Sequence, residues 1–183
     1  NTSDADMIAM FPNAKVNAVV TWQPQLGAIL SSYPDAQLAF SSADIPGEIN
    51  DGLLLRTELL QQHPDIGKAL AGAWFEVMDI LATPGAKRDE AIAHMAAASG
   101  TDVAGFEEQL KTTHFYARGE GATFVASQEF QDKLTLIQQF SFDNDLLGEG
   151  IRNPGDIGIE YPGKVVGNAQ RVNLRFPATY MEK

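Results

Sequence analysis

The chain has 183 residues, no cysteine and a formal net charge of −11. This length is enough for one or two small domains with a buried core. The negative net charge argues against general nucleic-acid binding, which needs a positively charged surface, and against docking on anionic membranes. The absence of cysteine excludes disulfides, thiolate metal sites and cysteine nucleophiles, and no apolar run approaches the roughly 20 residues of a membrane span.

The first predicted helix begins beside Ser3, and Pro12 ends it. Ser3 and Asp6 have capping-box spacing, and acidic side chains such as Asp4 and Asp6 favour a helix N-terminus. Two interpretations stay open for these residues. They are a helix cap alone, or they also face a ligand cleft.

An apolar strand is predicted over 16–21, and it ends in a polar residue followed by a large aromatic ring, Thr21 and Trp22. Pro24 suits the first turn of the next helix, and a second short strand is predicted over 37–40. In open α/β sheets, ligands bind outside the carboxyl ends of strands. Trp22 offers an apolar face for stacking and one N–H donor, so this strand end predicts a small-molecule cleft.

The polar segment 41–52 carries three carboxylates and a Pro-Gly turn, and the carboxylates are Asp44, Glu48 and Asp51. Loops of this kind carry function more often than the elements they join. The alternative interpretation is a solvated hinge loop. A buried strand is predicted immediately after it, over 52–55.

The strongest helical periodicity follows Pro64, where apolar residues recur on one face from 66 to 81. The pattern predicts a helix that ends at 83–85, with Trp74 and Met78 in the core rather than at a cofactor. Thr57 is predicted to cap a short helical turn before it.

Three more helices are predicted over 87–98, from Thr101 as N-cap to Lys111, and over 127–140. Gly119-Glu120-Gly121 predicts a turn. It is not interpreted as a dinucleotide fingerprint, because the third glycine of that motif is missing. Short strands are predicted in the tail at 157–159, 165–166 and 172–176.

The residues offer little support for catalysis or metal chemistry. The three histidines are far apart in the sequence, and no phosphate loop or nucleophile elbow occurs. Asp44, Glu48 and Asp51 would act as acid/base groups only if buried together, and nothing supplies a nucleophile or cofactor for them. Carboxylates near a tryptophan are better suited to holding a small cation or a polar N–H donor. We therefore expect no catalytic residues, no metal and no cofactor.

Several motifs resemble one protein family in order and spacing. These are Ser3-Asp4-Ala5-Asp6, Ala18-Val19-Val20-Thr21-Trp22-Gln23-Pro24-Gln25-Leu26, Asp44-Ile45-Pro46-Gly47-Glu48-Ile49, Ala73-Trp74-Phe75-Glu76, Leu146-Leu147-Gly148 and Val172-Asn173-Leu174-Arg175-Phe176 with Tyr180-Met181. The family is the solute-binding proteins of ABC transporters of the nitrate/sulfonate/taurine type. The closest resemblance is to the urea-transporter branch associated with urea carboxylase.

The resemblance implies an α/β fold of the type II periplasmic binding class, in which two α/β lobes close around a ligand by a hinge motion. Family members are longer, so the chain resembles their C-terminal part. We expect residues 1–45 to complete the second lobe with the ligand-facing strand end. Residues 46–183 are expected to form the hinge return and a C-terminal helical, first-lobe segment.

The family motifs also imply a ligand-binding set. Trp22 and Glu48 are the first candidates, Asp4 and Asp51 come next, and Ser3, Thr21 and Asp44 complete the set. The expected ligand is a small nitrogen-rich solute such as urea or guanidine. The expected partners are the transporter's membrane permease and a missing N-terminal part of the same protein, with no nucleic acid. The expected location is the periplasm, or a tethered position outside the cell membrane, after removal of a signal peptide.

Three functional hypotheses follow. The first is a transport binding protein without enzymatic activity. The second is an enzyme on the same fold that uses Asp44, Glu48 or Asp51 in acid/base steps. The third is a ligand-sensing or interaction module derived from this fold.

Overall fold

The computed structural model describes residues 3–182, except for the side chains of Asp4 and Ala5. The described chain is mixed α/β, and most of its regular structure is helical. The helices are α1 (Asp4–Met10), α2 (Gln25–Ser32), α3 (Thr57–Gln62), α4 (Pro64–Ala82), α5 (Ala86–Ala98), α6 (Val103–Leu110), α7 (Glu120–Ala126) and α8 (Gln128–Asp143). The strands are β1 (Gly158–Tyr161), β2 (Lys164–Val166) and β3 (Val172–Arg175), and single 3₁₀ turns lie at Ser42–Asp44, Pro154–Asp156 and Ala178–Tyr180.

The chain divides into two compact units, each built from two stretches of sequence. The first unit contains Asn1–Asp44 and Pro84–His114, and the second contains Ile45–Thr83 and Phe115–Lys183. The assignment of residues 1–45 to the second lobe, and of residues 46–183 to the hinge return and first lobe, stays a prediction.

The first unit contains two helix pairs, α1 with α2 and α5 with α6. Arg88 on α5 forms an ion pair of 2.9 Å with Glu107 on α6, and Ile92 is fully buried. The N-cap of α6 is Asp102, whose carboxylate accepts a hydrogen bond of 2.7 Å from the Gly105 amide. The prediction of Thr101 as the cap is therefore wrong by one residue, because the carboxylate one position later reaches the free amide.

The second unit contains a three-stranded sheet in the order β2-β1-β3. β1 pairs with β2 in antiparallel register, with Ile159 opposite Val166, and with β3 in parallel register. The β1–β2 turn places Gly163 at φ +82°, a conformation that favours glycine. The predicted short strands of the tail are confirmed to within a few residues.

An aromatic cluster fills the space between this sheet and α7–α8. Phe130 is only 2% exposed, and its ring centroid lies 4.7 Å from that of Phe124 and 4.9 Å from that of Phe176. Tyr161 stacks on Phe176 at 5.8 Å. This cluster, with Val125 and Ile159 beside it, is the core of the second unit.

The prediction that α4 buries Trp74 is wrong. The helix spans the expected residues, but Trp74 is 46% exposed and Phe75 is buried instead. The Arg118 guanidinium lies 4.8 Å from the centroid of the Phe75 ring, and Gly67 packs against the ring of Tyr180. One residue turns a helix by about 100°, so packing through Phe75 and Gly67 rotates the apolar stripe partly toward solvent. Met78 is half-buried.

Three predicted strands, 16–21, 37–40 and 52–55, have no regular secondary structure and lie outside the described sheet. The prediction of strands is wrong there because β propensity gives a strand only where a neighbouring strand accepts its ladder of hydrogen bonds. Their apolar side chains are exposed, with Val20 at 92% and Leu54 at 76%.

Two local predictions near helix starts are also wrong. α7 begins at Glu120, where only a turn was predicted, and Gly121 is buried against the Met181 side chain. Thr57 is the first residue of α3 rather than its cap, and Arg56 at the cap position makes no side-chain hydrogen bond. Within residues 3–182, no helix has the length and apolar character needed to cross a bilayer.

Candidate functional site

Trp22 lies in a segment without regular secondary structure, just before the turn that leads into α2. Its side chain is 68% exposed, and its carbonyl accepts a hydrogen bond of 3.0 Å from the Leu26 amide in the first turn of the helix. The Gln23–Pro24 bond is cis, and the Gln23 amide oxygen accepts a hydrogen bond of 3.1 Å from Gly27. The helix start therefore fixes the backbone of Trp22 while its indole ring stays open to a ligand.

Two residues close to this tryptophan in the sequence each have a buried side-chain oxygen atom without a hydrogen-bond partner. The atoms are Thr21 Oγ1 and Gln25 Oε1. A buried polar atom without a partner carries a desolvation cost of about 1–3 kcal/mol, and most such atoms in native structures are satisfied by protein, water or ligand. Both residues lie close to Trp22 in the sequence, so the segment that carries the exposed indole also carries two polar groups whose hydrogen bonds are unmet. Thr21 was predicted from the sequence; Gln25 was not, and a glutamine after a helix-starting proline gives no sequence signal of this kind.

Ser3 forms a helix cap in the structure. Its hydroxyl oxygen accepts a hydrogen bond of 3.2 Å from the Asp6 amide and donates one of 2.6 Å to the Asp6 carboxylate. The capping interpretation is confirmed, and a ligand contact by Ser3 stays a prediction. The side chain of Asp4 lies outside the described residues.

Asp44 ends the 3₁₀ turn at Ser42–Asp44. Its carboxylate is exposed and accepts a hydrogen bond of 2.8 Å from the Ser41 amide. Ser41 in turn accepts from the Ala43 amide with its hydroxyl oxygen, at 3.2 Å. Local capping therefore uses part of the hydrogen-bonding capacity of Asp44 and leaves the rest available.

Glu48 lies on the next turn and Asp51 in the irregular stretch that follows it, and both belong to the second unit. Gly47 adopts φ +78° there, and the Glu48 amide donates to the Ile45 carbonyl at 3.2 Å. The Asn50 side chain donates to the Gly47 carbonyl at 2.8 Å. Glu48 is half-buried and Asp51 is exposed.

The predicted site residues are divided between the units. Ser3, Thr21, Trp22 and Asp44 belong to the first unit, whereas Glu48 and Asp51 belong to the second. Among the predicted site side chains that the structure describes, no hydrogen bond joins one to another. A common cleft formed by all of them stays a prediction.

The described residues contain no group of three or more histidine or carboxylate side chains arranged to hold a metal ion. One surface depression has a volume of about 450 Å³ and lies along α8, beside Glu129, Lys133 and Leu136. Another, of about 280 Å³, lies beside Phe11 and Tyr33. Both are open grooves, and neither is lined by a residue of the predicted site.

Lys133 is a residue that the sequence reasoning missed. It lies on α8, yet its ammonium group donates to the Pro46 carbonyl, two residues before Glu48. The only sequence signal is the Glu129–Lys133 spacing of four, which is typical of an ordinary ion pair on a helix surface. The contact with Pro46 spans 87 positions and depends on the tertiary fold.

Comparison of the chain with protein-family models, with curated proteins and with solved structures finds no match.

Proposed function

We propose that the chain is part of the substrate-binding component of an ABC uptake transporter and binds urea, guanidine or a related nitrogen compound. The observation that carries this proposal is the exposed indole of Trp22 in a segment whose Thr21 and Gln25 side chains each have a buried oxygen atom without a hydrogen-bond partner. The motif resemblance gives the fold as the type II periplasmic binding class and the cleft between its lobes as the site. The location that goes with this function is the periplasm, or the outer face of the cell membrane.

The chemistry of these groups suits a small planar solute with several N–H donors. An indole face attracts a flat or cationic molecule through stacking and cation–π interaction. The oxygens of Thr21 and Gln25 accept N–H bonds, and carboxylates such as Glu48 and Asp51 accept stronger, charge-assisted ones. The negative charges of Glu48 and Asp51 would repel an anion such as nitrate or an alkylsulfonate.

Three exposed apolar segments support the further proposal that a missing N-terminal part of the protein completes the lobes. Residues 16–21, 37–40 and 52–55 lie outside the sheet and include exposed apolar side chains. Strands of this kind are stable when a further strand pairs with them and their apolar faces are covered. In the complete protein, the transporter's membrane permease is the expected recipient of the ligand.

Isothermal titration of the protein with urea, guanidine, nitrate and an alkylsulfonate tests the ligand class. We expect urea or guanidine to bind, and we expect Trp22→Ala to weaken that binding by about 10-fold or more, because the stacking face is lost. Trp74→Ala is the matched control, since Trp74 is also an exposed tryptophan and should leave the affinity unchanged. Tight binding of nitrate or the sulfonate, with neither urea nor guanidine bound, would falsify the proposal.

A further inference from the structure

Lys133 connects α8 to the turn that carries Glu48. Its side chain is only 18% exposed, and its ammonium group donates to both the Pro46 carbonyl and the Glu129 carboxylate, the latter at 2.8 Å. A lysine is rarely buried to this degree unless its charge is paired. The two acceptors satisfy that charge, so the lysine is well placed to hold the turn against the helix.

The turn is packed closely on this lysine and on the aromatic core. A Cβ atom at Gly47 would lie 3.1 Å from Lys133 Nζ and 3.4 Å from the ring of Phe124. Gly47 also has φ +78°, a conformation that other residues adopt at a cost. The glycine therefore lets the backbone approach the ammonium group closely.

The same segment is held at its other end by an arginine. Arg175 on β3 donates from Nη1 to Thr57 Oγ1 at 3.2 Å, and its Nε lies 2.9 Å from the Glu160 carboxylate. The segment 46–57 is thus held near one end by Lys133 on α8 and at the other by Arg175 on β3. Between these two contacts lie exposed apolar side chains and a stretch, 50–56, without regular secondary structure.

From this geometry we propose that Lys133 is a positioning residue for the ligand-facing turn. It holds Pro46 and Gly47 against α8, and so fixes the place from which Glu48 and Asp51 meet a ligand. The role in ligand binding rests on the proposed function. The role in holding the turn does not, because it depends only on contacts within the second unit.

Amide hydrogen exchange of peptides covering 44–55 tests the positioning role. Lys133→Met should raise exchange in this region about 10-fold, as expected for the loss of a charge-assisted hydrogen bond, while exchange within α8 stays unchanged. Lys133→Arg should keep exchange near that of the wild type, because arginine also donates to the Pro46 carbonyl. Lys68→Met, on the exposed surface of α4, is the matched control and should change nothing in this region.

Gly47→Ala provides a second variant that leaves the lysine in place. Its new methyl group would press on Lys133 and Phe124 and displace the turn, so exchange in 44–55 should rise as in Lys133→Met. Equal exchange in the wild type, Lys133→Met and Gly47→Ala would overturn the positioning role.

Titration with guanidine separates this inference from the proposed function. Faster local exchange together with weaker guanidine binding in Lys133→Met supports both. Faster exchange with unchanged affinity would overturn the link between this turn and the ligand. If the wild type binds none of the solutes, the proposed function fails, and the exchange measurement still decides whether Lys133 holds the turn.

Discussion

Phe130 is the residue on which the packing of the second unit depends most directly. Its side chain is almost fully buried, and it contacts the rings of Phe124, Tyr161 and Phe176. Phe130→Ala should lower the free energy of unfolding by about 3–5 kcal/mol, because it removes a buried ring and leaves a cavity. Urea denaturation followed by far-UV circular dichroism measures the change.

The control for this prediction lies on the same helix. Phe140 is 61% exposed, so Phe140→Ala should change the free energy of unfolding by about 0.5 kcal/mol or less. Equal losses for the two variants would contradict the assignment of the core to the Phe130 side of α8.

Tyr161 gives the protein an alkaline pH dependence. Burial raises the pKa of its hydroxyl above the ordinary value of 10.0, so the folded protein holds the proton more tightly than the unfolded chain does. The contribution of the protonated Tyr161 hydroxyl to the free energy of unfolding is complete below pH 10.0, the pKa in the unfolded chain. It is lost as the pH rises through the higher pKa of the folded protein. The thermal midpoint should therefore fall more steeply above about pH 10 in the wild type than in Tyr161→Phe, which has no proton to lose.

Tyr116 is a useful comparison for that measurement. Burial also raises the pKa of its hydroxyl, and the nearby Glu120 carboxylate adds to the shift. Tyr116→Phe should reduce the same alkaline slope, and the double variant should be flatter than either single one. An unchanged slope in all three variants would show that neither hydroxyl is buried in the folded protein.

The rotation of α4 about its axis can be tested with its two interior glycines. A Cβ at Gly67 would lie 2.8 Å from the Tyr180 ring and 3.0 Å from the Leu60 side chain, whereas a Cβ at Gly72 would meet nothing within 4 Å. Gly72→Ala should stabilise the protein by about 0.5–1 kcal/mol, because alanine loses less backbone entropy in a helix. Gly67→Ala should destabilise it by about 1–3 kcal/mol through overpacking.

The two glycine variants share the same helix and the same chemical change. Their free energies of unfolding, measured in urea under identical conditions, should therefore have opposite signs relative to the wild type. Stabilisation by both substitutions would mean that the Gly67 face of α4 is free, and that the stripe containing Trp74 is the packed one.

Helix starts show how far local chemistry determines an element. Ser3 and Ser127 each accept a hydrogen bond from an amide three residues later, and both were predicted as cap or helix start from residue type and spacing. α7 was missed because its first turn contains Gly121, which propensity assigns to a turn. Contact with Met181, far away in sequence, accompanies the burial of that glycine.

Across the whole molecule, the prediction that differs most from the structure is that of three strands at 16–21, 37–40 and 52–55. The residues of 16–21 and 52–55 have the composition of buried strands, yet the structure leaves them outside the sheet with apolar side chains exposed. A strand is completed by its neighbours, so composition alone does not tell whether a ladder forms. For the same reason, the proposed function includes a partner segment that would pair with these residues and cover their apolar side chains.

The candidate site was predictable in part. The sequence identified Thr21 and Trp22 as a polar residue and an aromatic ring before a helix, and the structure finds the indole open and the hydroxyl buried without a partner. Neither the burial of the Gln25 oxygen nor the contact between Lys133 and Pro46 could be predicted from the sequence. The first depends on burial and the second on a contact between distant parts of the chain.

The sequence by itself determined the acidic surface charge, most of the helices, the short strands of the tail and the tryptophan before α2. Each of these follows from composition, local spacing or capping, which act over a few residues. Only the tertiary structure decided that Phe75 rather than Trp74 is buried, that three strand-like segments lie outside the described sheet, and that Lys133 contacts the turn that carries Glu48. The physical reason is that burial, strand pairing and long-range hydrogen bonds depend on partners that are distant in the sequence.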